Sequence, residues 1–317
     1  STCLLVYPPI GNPMTQLLIN QYGAFLGRHS ERLCVKIKGE LIQEIPLMDL
    51  EQVLIQSPGV SISTDAIRDC TERGIPIHLL AYSGDPYATI VSTDLGGTVR
   101  TRREQLLAFA DARGAALARS FATGKLYNQA NLLKYQAKNR KEKEPDLYQI
   151  VHEAALEVER LGDALGNLNG LTADDLRPSL LNLEGRGASL YWAAMKRLLR
   201  VDLDWPGRET RGAGDPLNMA LNYGYGILTS QVQMAVLLAG LDPYAGFVHV
   251  DRSGKPSLVL DLIEEFRQTI VDRTVFGLVN KRIPLVVAEE RLDEATRKLL
   301  AQRVLERLDG EEPYEGK

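Results

Sequence analysis

His249 and the three carboxylates that follow it by twelve to sixteen residues, Asp261, Glu264 and Glu265, form the densest chemistry-bearing set in this sequence. On a helix, Asp261 and Glu264 (three apart) share a face, as do Asp261 and Glu265 (four apart). Val259, Leu262, Ile263 and Phe266 cover much of the remaining circumference, so the helix is expected to be largely buried. A buried carboxylate is costly unless it is ion-paired, hydrogen-bonded or bound to a metal. Arg267 or Arg273 could provide the pairing, and a metal ion is the other solution. Upstream, Glu184 heads a run of small residues, Gly185, Gly187, Ala188 and Ser189. Such a run admits a ligand or a second backbone, and a tight helix crossing would need the same residues. A carboxylate from one helix with an imidazole and a carboxylate from another would suit Mg²⁺ or Mn²⁺ with open water positions better than zinc. His29, His78 and His152 have no partner at ligand spacing, and His78 lies in an apolar strand.

These residues must be held by a scaffold whose character changes near residue 100. Leu33, Val35 and Ile37 alternate with polar neighbours, the pattern of a half-buried strand. A turn at Gly39-Glu40 leads to a second strand, Leu41 to Ile45, ended by Pro46. Leu17–Asn20, Val53–Ile55, Pro76–Leu80 and Ala88–Val91 are further short apolar runs. One helix interrupts them, capped by Ser63 or Thr64 and ended by Gly74. Beyond Gly96-Gly97 the period becomes helical. Helices are expected over Arg102–Ala118, Leu126–Lys138, Pro145–Leu165, Leu180–Leu199, Pro216–Ala239, Leu258–Ile270 and Leu292–Leu308, with Ser257 able to cap the sixth. The expectation is an α+β chain, with a mostly antiparallel β domain over 1–98 and an all-α domain over 99–317.

Composition narrows the setting. The 317 residues are 44% hydrophobic and 25% charged, the mix of a globular protein rather than a disordered or fibrous one. No apolar run approaches the ~18 residues of a membrane helix, and the opening Ser1-Thr2-Cys3-Leu4-Leu5-Val6-Tyr7 does not read as a secretory signal. Three cysteines without a C-x-x-C pair argue against a disulfide scaffold or a zinc site, so a cytoplasmic protein is expected. Net charge is −4, yet Arg100–Lys143 holds eleven bases against three acids. With Tyr127 and Tyr135 interleaved, that stretch could track a phosphate backbone or be a solvated helix face.

The sequence resembles the family of CRISPR-associated protein one over nearly its whole length. The resemblance is carried by Glu184-Gly185 with Ala188 and Tyr191, and by Asp215-Pro216 with Asn218 and Tyr225. It continues through His249, Ser257-Leu258, and Asp261-Leu262 with Glu264, Phe266 and Arg267. In the first hundred residues Asn20-Gln21-Tyr22-Gly23, Val60-Ser61, Gly74-Ile75-Pro76-Ile77 and Ser83-Gly84 agree too. The resemblance implies an N-terminal β domain and a helical catalytic domain. It implies metal ligands at Glu184, His249 and Glu264, Asp261 as a ligand or supporting acid, and Glu265 as the alternative register to Glu264. The cofactor would be Mg²⁺ or Mn²⁺, which polarises a phosphate oxygen as a prespacer 3′-hydroxyl displaces a 3′-oxygen at the repeat boundary. Water in its place gives endonuclease activity. The partners implied are double-stranded DNA, a second copy of the chain, and a dimer of CRISPR-associated protein two. DNA contacts would come from Arg102, Arg103, Lys138, Arg140, Lys141, Arg208 and Arg211, with Tyr22 abutting a duplex end. Tyr191, Asn218 and Arg186 would orient phosphate or ligands, or else serve packing and capping.

Two other readings use the same fold: a DNA-binding assembly subunit without catalysis, and a transposon integrase acting on different DNA. A carboxylate-bridged redox bundle is excluded, because His249 does not follow any glutamate by three residues.

Overall fold

In the computed structural model, which describes residues 16–81, 84, 86–93, 99–201, 203, 205–210 and 213–310, the strands precede the main body of helices. They are Gln16–Ile19 (β1), Ala24–His29 (β2), Arg32–Ile37 (β3), Glu40–Pro46 (β4), Gln52–Ile55 (β5), Ser61–Ile62 (β6), Ile77–Leu80 (β7) and Pro86–Ile90 (β8), with helix Thr64–Glu72 (α1) between β6 and β7. Alternation along β3 buries Leu33 and Val35, and positive φ at Lys38 (51°) and Gly39 (86°) makes the tight hairpin into β4. The Ser63 hydroxyl accepts from the Ala66 N–H at 3.2 Å to cap α1, and Gly74 (φ 71°) ends that segment, as the sequence implied. Two sheets result, ordered β1-β5-β7-β8 and β4-β3-β2-β6. The β2–β3, β3–β4 and β7–β8 ladders are antiparallel, and the β1–β5, β5–β7 and β2–β6 ladders are parallel. Leu17, Ile19, Leu26, Leu33, Val53 and Ile77 form the core of this unit.

The chain divides into Ser1–Leu95 with Leu308–Lys317, and Gly96–Arg307. The second unit carries helices Val99–Ala108 (α2), Ala112–Ala137 (α3), Pro145–Gly166 (α4), Ala173–Arg197 (α5), Pro216–Leu238 (α6), Ser257–Ile263 (α7), Arg273–Asn280 (α8) and Glu294–Leu308 (α9). The α+β class holds, with a small ribbon, Val287–Ala288 (β9) and Arg291–Leu292 (β10), inside the helical part.

Several helix boundaries differ from expectation for local reasons. One long helix, α3, replaces the separation expected near residue 120. It starts where Asp111 accepts from the Arg113 N–H at 2.8 Å, leaving α2 as a separate segment. α5 begins before Pro178, because Thr172 and Asp175 form a reciprocal capping box that defines the N-terminus at 172. The helix expected over 258–270 is interrupted. α7 ends at Ile263, a π-helical turn spans Arg267–Asp272, and α8 follows. Ser257 does not cap α7: it is the first helical residue, and Pro256 stands at the N-cap.

α3 packs on α4 and α5, and α7 packs on α3 and α6. The small-residue run after Glu184 divides by face. Gly187 lies against α3, where a Cβ would sit 2.4 Å from Leu126 Cδ2, whereas Gly185 meets nothing within 4 Å. Gly187 therefore serves the helix crossing that brings Glu184 to α3. Gly187→Leu is expected to lower stability by about 1–3 kcal/mol through overpacking, while Gly185→Ala should leave it unchanged or raise it by up to about 1 kcal/mol; chemical denaturation midpoints check both.

Candidate active site

α3, α5 and α7 bring three side chains together around a single positive charge. Lys125 of α3 points its ammonium between Glu184 of α5, with which it makes a very short ion pair, and Glu264 just after α7, whose Oε2 lies 2.8 Å away. That Glu264 oxygen is buried, with the Lys125 ammonium beside it. Its Oε1 accepts from Arg267 at 2.6 Å. Burial alone would push the Glu264 carboxyl up, but Lys125 and Arg267 outweigh it and hold its pKa down at about 2. Burial likewise presses on the Lys125 ammonium, and Glu264 and Glu184 more than compensate, so its pKa is raised. Glu264 thus stays ionised beside Lys125 and Arg267.

Asp261, on α7, is satisfied almost entirely by one loop. Its Oδ2 accepts from the Phe247 and Val248 N–H groups at 2.5 and 3.0 Å, and its Oδ1 accepts from the His249 N–H at 2.9 Å. The same Oδ1 lies 2.7 Å from His249 Nδ1. An ionised carboxylate only accepts, so Nδ1 carries a proton, and in the neutral imidazole Nε2 would be the nitrogen with the lone pair. Gly246 permits the close approach: a Cβ there would stand 2.7 Å from the Ser257 carbonyl carbon and 2.8 Å from Asp261 Oδ2. Arg177 Nε donates to the Val248 carbonyl at 2.9 Å and fastens the loop from its other side. His249 lies close enough to Glu264 that its ring, when protonated, would help to hold the Glu264 carboxyl down. Asp261 is therefore occupied in positioning His249.

Behind Arg267 lies a buried polar chain. The π-helical turn places Arg267 and Asp272 five residues apart on one side. The Arg267 guanidinium lies over the Tyr225 ring at 4.8 Å, and Asp272 accepts from the Tyr191 hydroxyl at 2.6 Å and from the Tyr225 hydroxyl. Burial raises the Asp272 carboxyl to about 6, against the pull of those two hydroxyls. Tyr191 thus supports Arg267 through Asp272 and Tyr225 rather than facing a ligand. Asn218 is wholly buried at the start of α6, where it donates to Asp215 and to the Gly207 carbonyl and accepts from the Glu209 N–H. Capping and loop anchoring, not phosphate orientation, account for it. Arg208 spans Tyr225 (5.2 Å) and Trp192 (6.0 Å) and donates to Asn222, so this guanidinium belongs to the same aromatic cluster and not to an open DNA surface.

Glu264, not Glu265, is the acid brought to Glu184. Glu265 is half-buried against Gly124 of α3, and its carbonyl accepts from Asn128 at 2.7 Å. The Arg267 pairing offered by the sequence is present, but it shares Glu264 with a second cation. Among the described residues no three His, Cys, Asp or Glu side chains stand close enough to hold an ion as they are. The donor chemistry nevertheless fits a divalent cation: two carboxylates converge on one cation, and an imidazole nearby has its free nitrogen defined.

The basic stretch is less open than its composition suggests. Arg140 is buried, bonded to Glu144 and to the Leu198 carbonyl, so its DNA role is withdrawn in favour of a structural one. Arg113 pairs with Glu104 and Asp111, and Lys134 with Glu159. Arg102, Arg103, Lys138, Lys141 and Arg186 are exposed, with the Lys141 ammonium 5.8 Å from the Tyr148 ring centroid. Arg211 lies outside the described residues. Tyr22 sits in the β1–β2 turn, 78% exposed, with its ring over Gly59, where a Cβ would meet it at 2.9 Å.

In the sequence Lys125 is one of eleven bases between Arg100 and Lys143, with no motif to set it apart. The available signal was its position: Phe121, Ala122, Leu126, Gln129 and Ala130 are the buried face of α3, and Lys125 falls inside it.

Residues 17–304 match the family described as CRISPR associated protein Cas1. The chain is 37% identical over 314 residues to the CRISPR-associated endonuclease Cas1 1 of Archaeoglobus fulgidus, covering 95% of this chain and 90% of that one. Its fold is similar to that of a casposase bound to an integration product, with TM-score 0.75, 24% identity, and coverage of 95% of this chain and 85% of that one. It is also similar to a chain of a Cas6-RT-Cas1–Cas2 complex, with TM-score 0.73, 20% identity, and coverage of 95% of this chain and 33% of that one.

The depressed Glu264 pKa has a consequence for acid stability. A carboxyl held at about 2, below its ordinary 4.5, contributes stability that is present above pH 4.5 and lost as pH falls towards 2. At neutral pH, Glu264→Gln is expected to cost on the order of 3 kcal/mol. That difference from the unsubstituted protein should shrink steadily between pH 5 and pH 2; urea midpoints across that window check it.

Proposed function

From the premise that this chain belongs to the CRISPR-associated Cas1 family, we propose that it is a metal-dependent DNA endonuclease and integrase. It joins the 3′-hydroxyl of a prespacer strand into a repeat by transesterification. The observation that supports this most is the convergence of Glu184 and Glu264 on one cation beside a histidine whose Nε2 is left free.

Glu184, Glu264 and His249 through Nε2 would hold Mg²⁺ or Mn²⁺. Such an ion, when bound, polarises a phosphate oxygen and lowers the pKa of a hydroxyl or water. The protein's part is to keep these donors in the right charge state and place. Arg267 keeps Glu264 ionised and fixes its orientation, and is itself held over Tyr225. Asp261 presents His249 in one tautomer and binds the loop that carries it. Exposed Arg186 of α5 would supply a further positive charge for the bound strand. Arg102, Arg103, Lys138 and Lys141 would hold the duplex by charge, so DNA binding should weaken with salt. Tyr22, exposed on its turn, would stack on a duplex end. The partners proposed are double-stranded DNA (prespacer and repeat), a second copy of this chain and a dimer of the family's companion protein, Cas2, in the cytoplasm.

Joining of a short duplex into a repeat-bearing plasmid tests this reading. Joining is expected with Mg²⁺ or Mn²⁺ and to vanish with EDTA. His249→Ala and Glu264→Ala should each lower it by at least a hundredfold with the fold intact, and Glu265→Ala should retain it. Joining that is indifferent to EDTA, or lost in Glu265→Ala and kept in Glu264→Ala, would overturn the assignment.

A further inference from the structure

We infer that Lys125 is a displaceable internal cation that holds Glu184 and Glu264 together without metal and competes with the divalent ion for them. This rests on the metal reading above and adds to it a residue that the reading does not require.

Two carboxylates and two cations, Glu184, Glu264, Lys125 and Arg267, meet at this point, with the carboxyl groups of Asp261 and Asp272 behind them. A divalent ion seated between Glu184 and Glu264 would stand where the Lys125 ammonium already is, and two cations sharing those buried oxygens repel. One cation has to move. Arg267 is anchored: its guanidinium stacks on Tyr225, whose hydroxyl is tied to Asp272. Lys125 is the freer of the two. Its ammonium is the end of a four-carbon chain, and the two ion pairs recorded for it are with the carboxylates an ion would take.

Geometry agrees. Both acids point at Nζ, with Glu264 Oε2 at 2.8 Å, so the ammonium fills the place between the two carboxylates where an ion would bind. Lys125 lies one turn from Phe121 and Gln129 on the buried face of α3. A lysine is tolerated there because it neutralises two acids that would otherwise repel. Once displaced, the ammonium faces a site that now carries positive charge, and a backbone phosphate of the substrate is the anion available to it. Metal and DNA binding should therefore assist each other, each by the same factor.

The test is Mn²⁺ binding followed by electron paramagnetic resonance on the full chain. Lys125→Met removes the competitor while keeping the apolar stem. It is expected to bind Mn²⁺ at least tenfold more tightly than the unsubstituted protein, and to melt lower in EDTA with recovery on adding Mn²⁺. A merely structural lysine would give the opposite sign, so equal or weaker Mn²⁺ affinity in Lys125→Met overturns the proposal. Glu184→Gln separates the two levels: if it still binds Mn²⁺ normally, the metal reading itself fails. A measurement without substitution covers the case of a misfolded variant. Amine labelling read by mass spectrometry should find Lys125 protected in EDTA and labelled on adding Mg²⁺ with an oligonucleotide, and unchanged protection would contradict the displacement.

Discussion

A buried ammonium shared by two carboxylates from different helices is the constraint on which the helical unit's architecture turns. Either acid alone in that position would be protonated or would drag water inward; together, and without a cation, they would repel. The ion pairs of Lys125 with Glu184 and Glu264 bring α3, α5 and the end of α7 to one point. The Gly187–Leu126 contact lets α5 approach closely enough for that to happen. Packing and charge pairing thus specify the same geometry.

The surrounding groups divide the work. Asp261 has the residue type of a ligand, but four interactions with the Phe247–His249 loop occupy its oxygens, so it contributes through the imidazole it orients. Arg267 contributes through Glu264, and Tyr191, Tyr225 and Asp272 contribute through Arg267. The π-helical turn is the device that makes this last relay possible, because a regular helix would turn Asp272 away from the side on which Arg267 meets Tyr225. Each outer group fixes the charge or direction of an inner one, the usual arrangement around hard-cation sites.

Much of this was legible in the sequence. The change from period two to helical period near residue 100, the hairpin after β3, the cap on α1, and the pairing of the acids with Arg267 follow from residue type and spacing. The choice between Glu264 and Glu265 was open, because both lie within one turn of Asp261; only the direction of the chain leaving α7 separates them. Lys125 was hidden for a different reason. Its partners are 59 and 139 residues away, and a lysine on a helix reads as solvent-facing unless its neighbours are checked for burial. Arg140 was hidden in the same way: it lies in a charged connection, yet donates to the carbonyl of Leu198 from the interior. The boundaries that moved, at Asp111, Thr172 and Ile263, did so where a side-chain cap or a π-helical turn outweighed periodicity.

Anomalous diffraction from a crystal soaked in Mn²⁺ addresses the central claim directly. The account predicts one strong peak at coordination distance from Glu184, Glu264 and His249 Nε2, with Lys125 swung off the two carboxylates. A map with no peak there, and Lys125 still bridging both acids at saturating Mn²⁺, would contradict it.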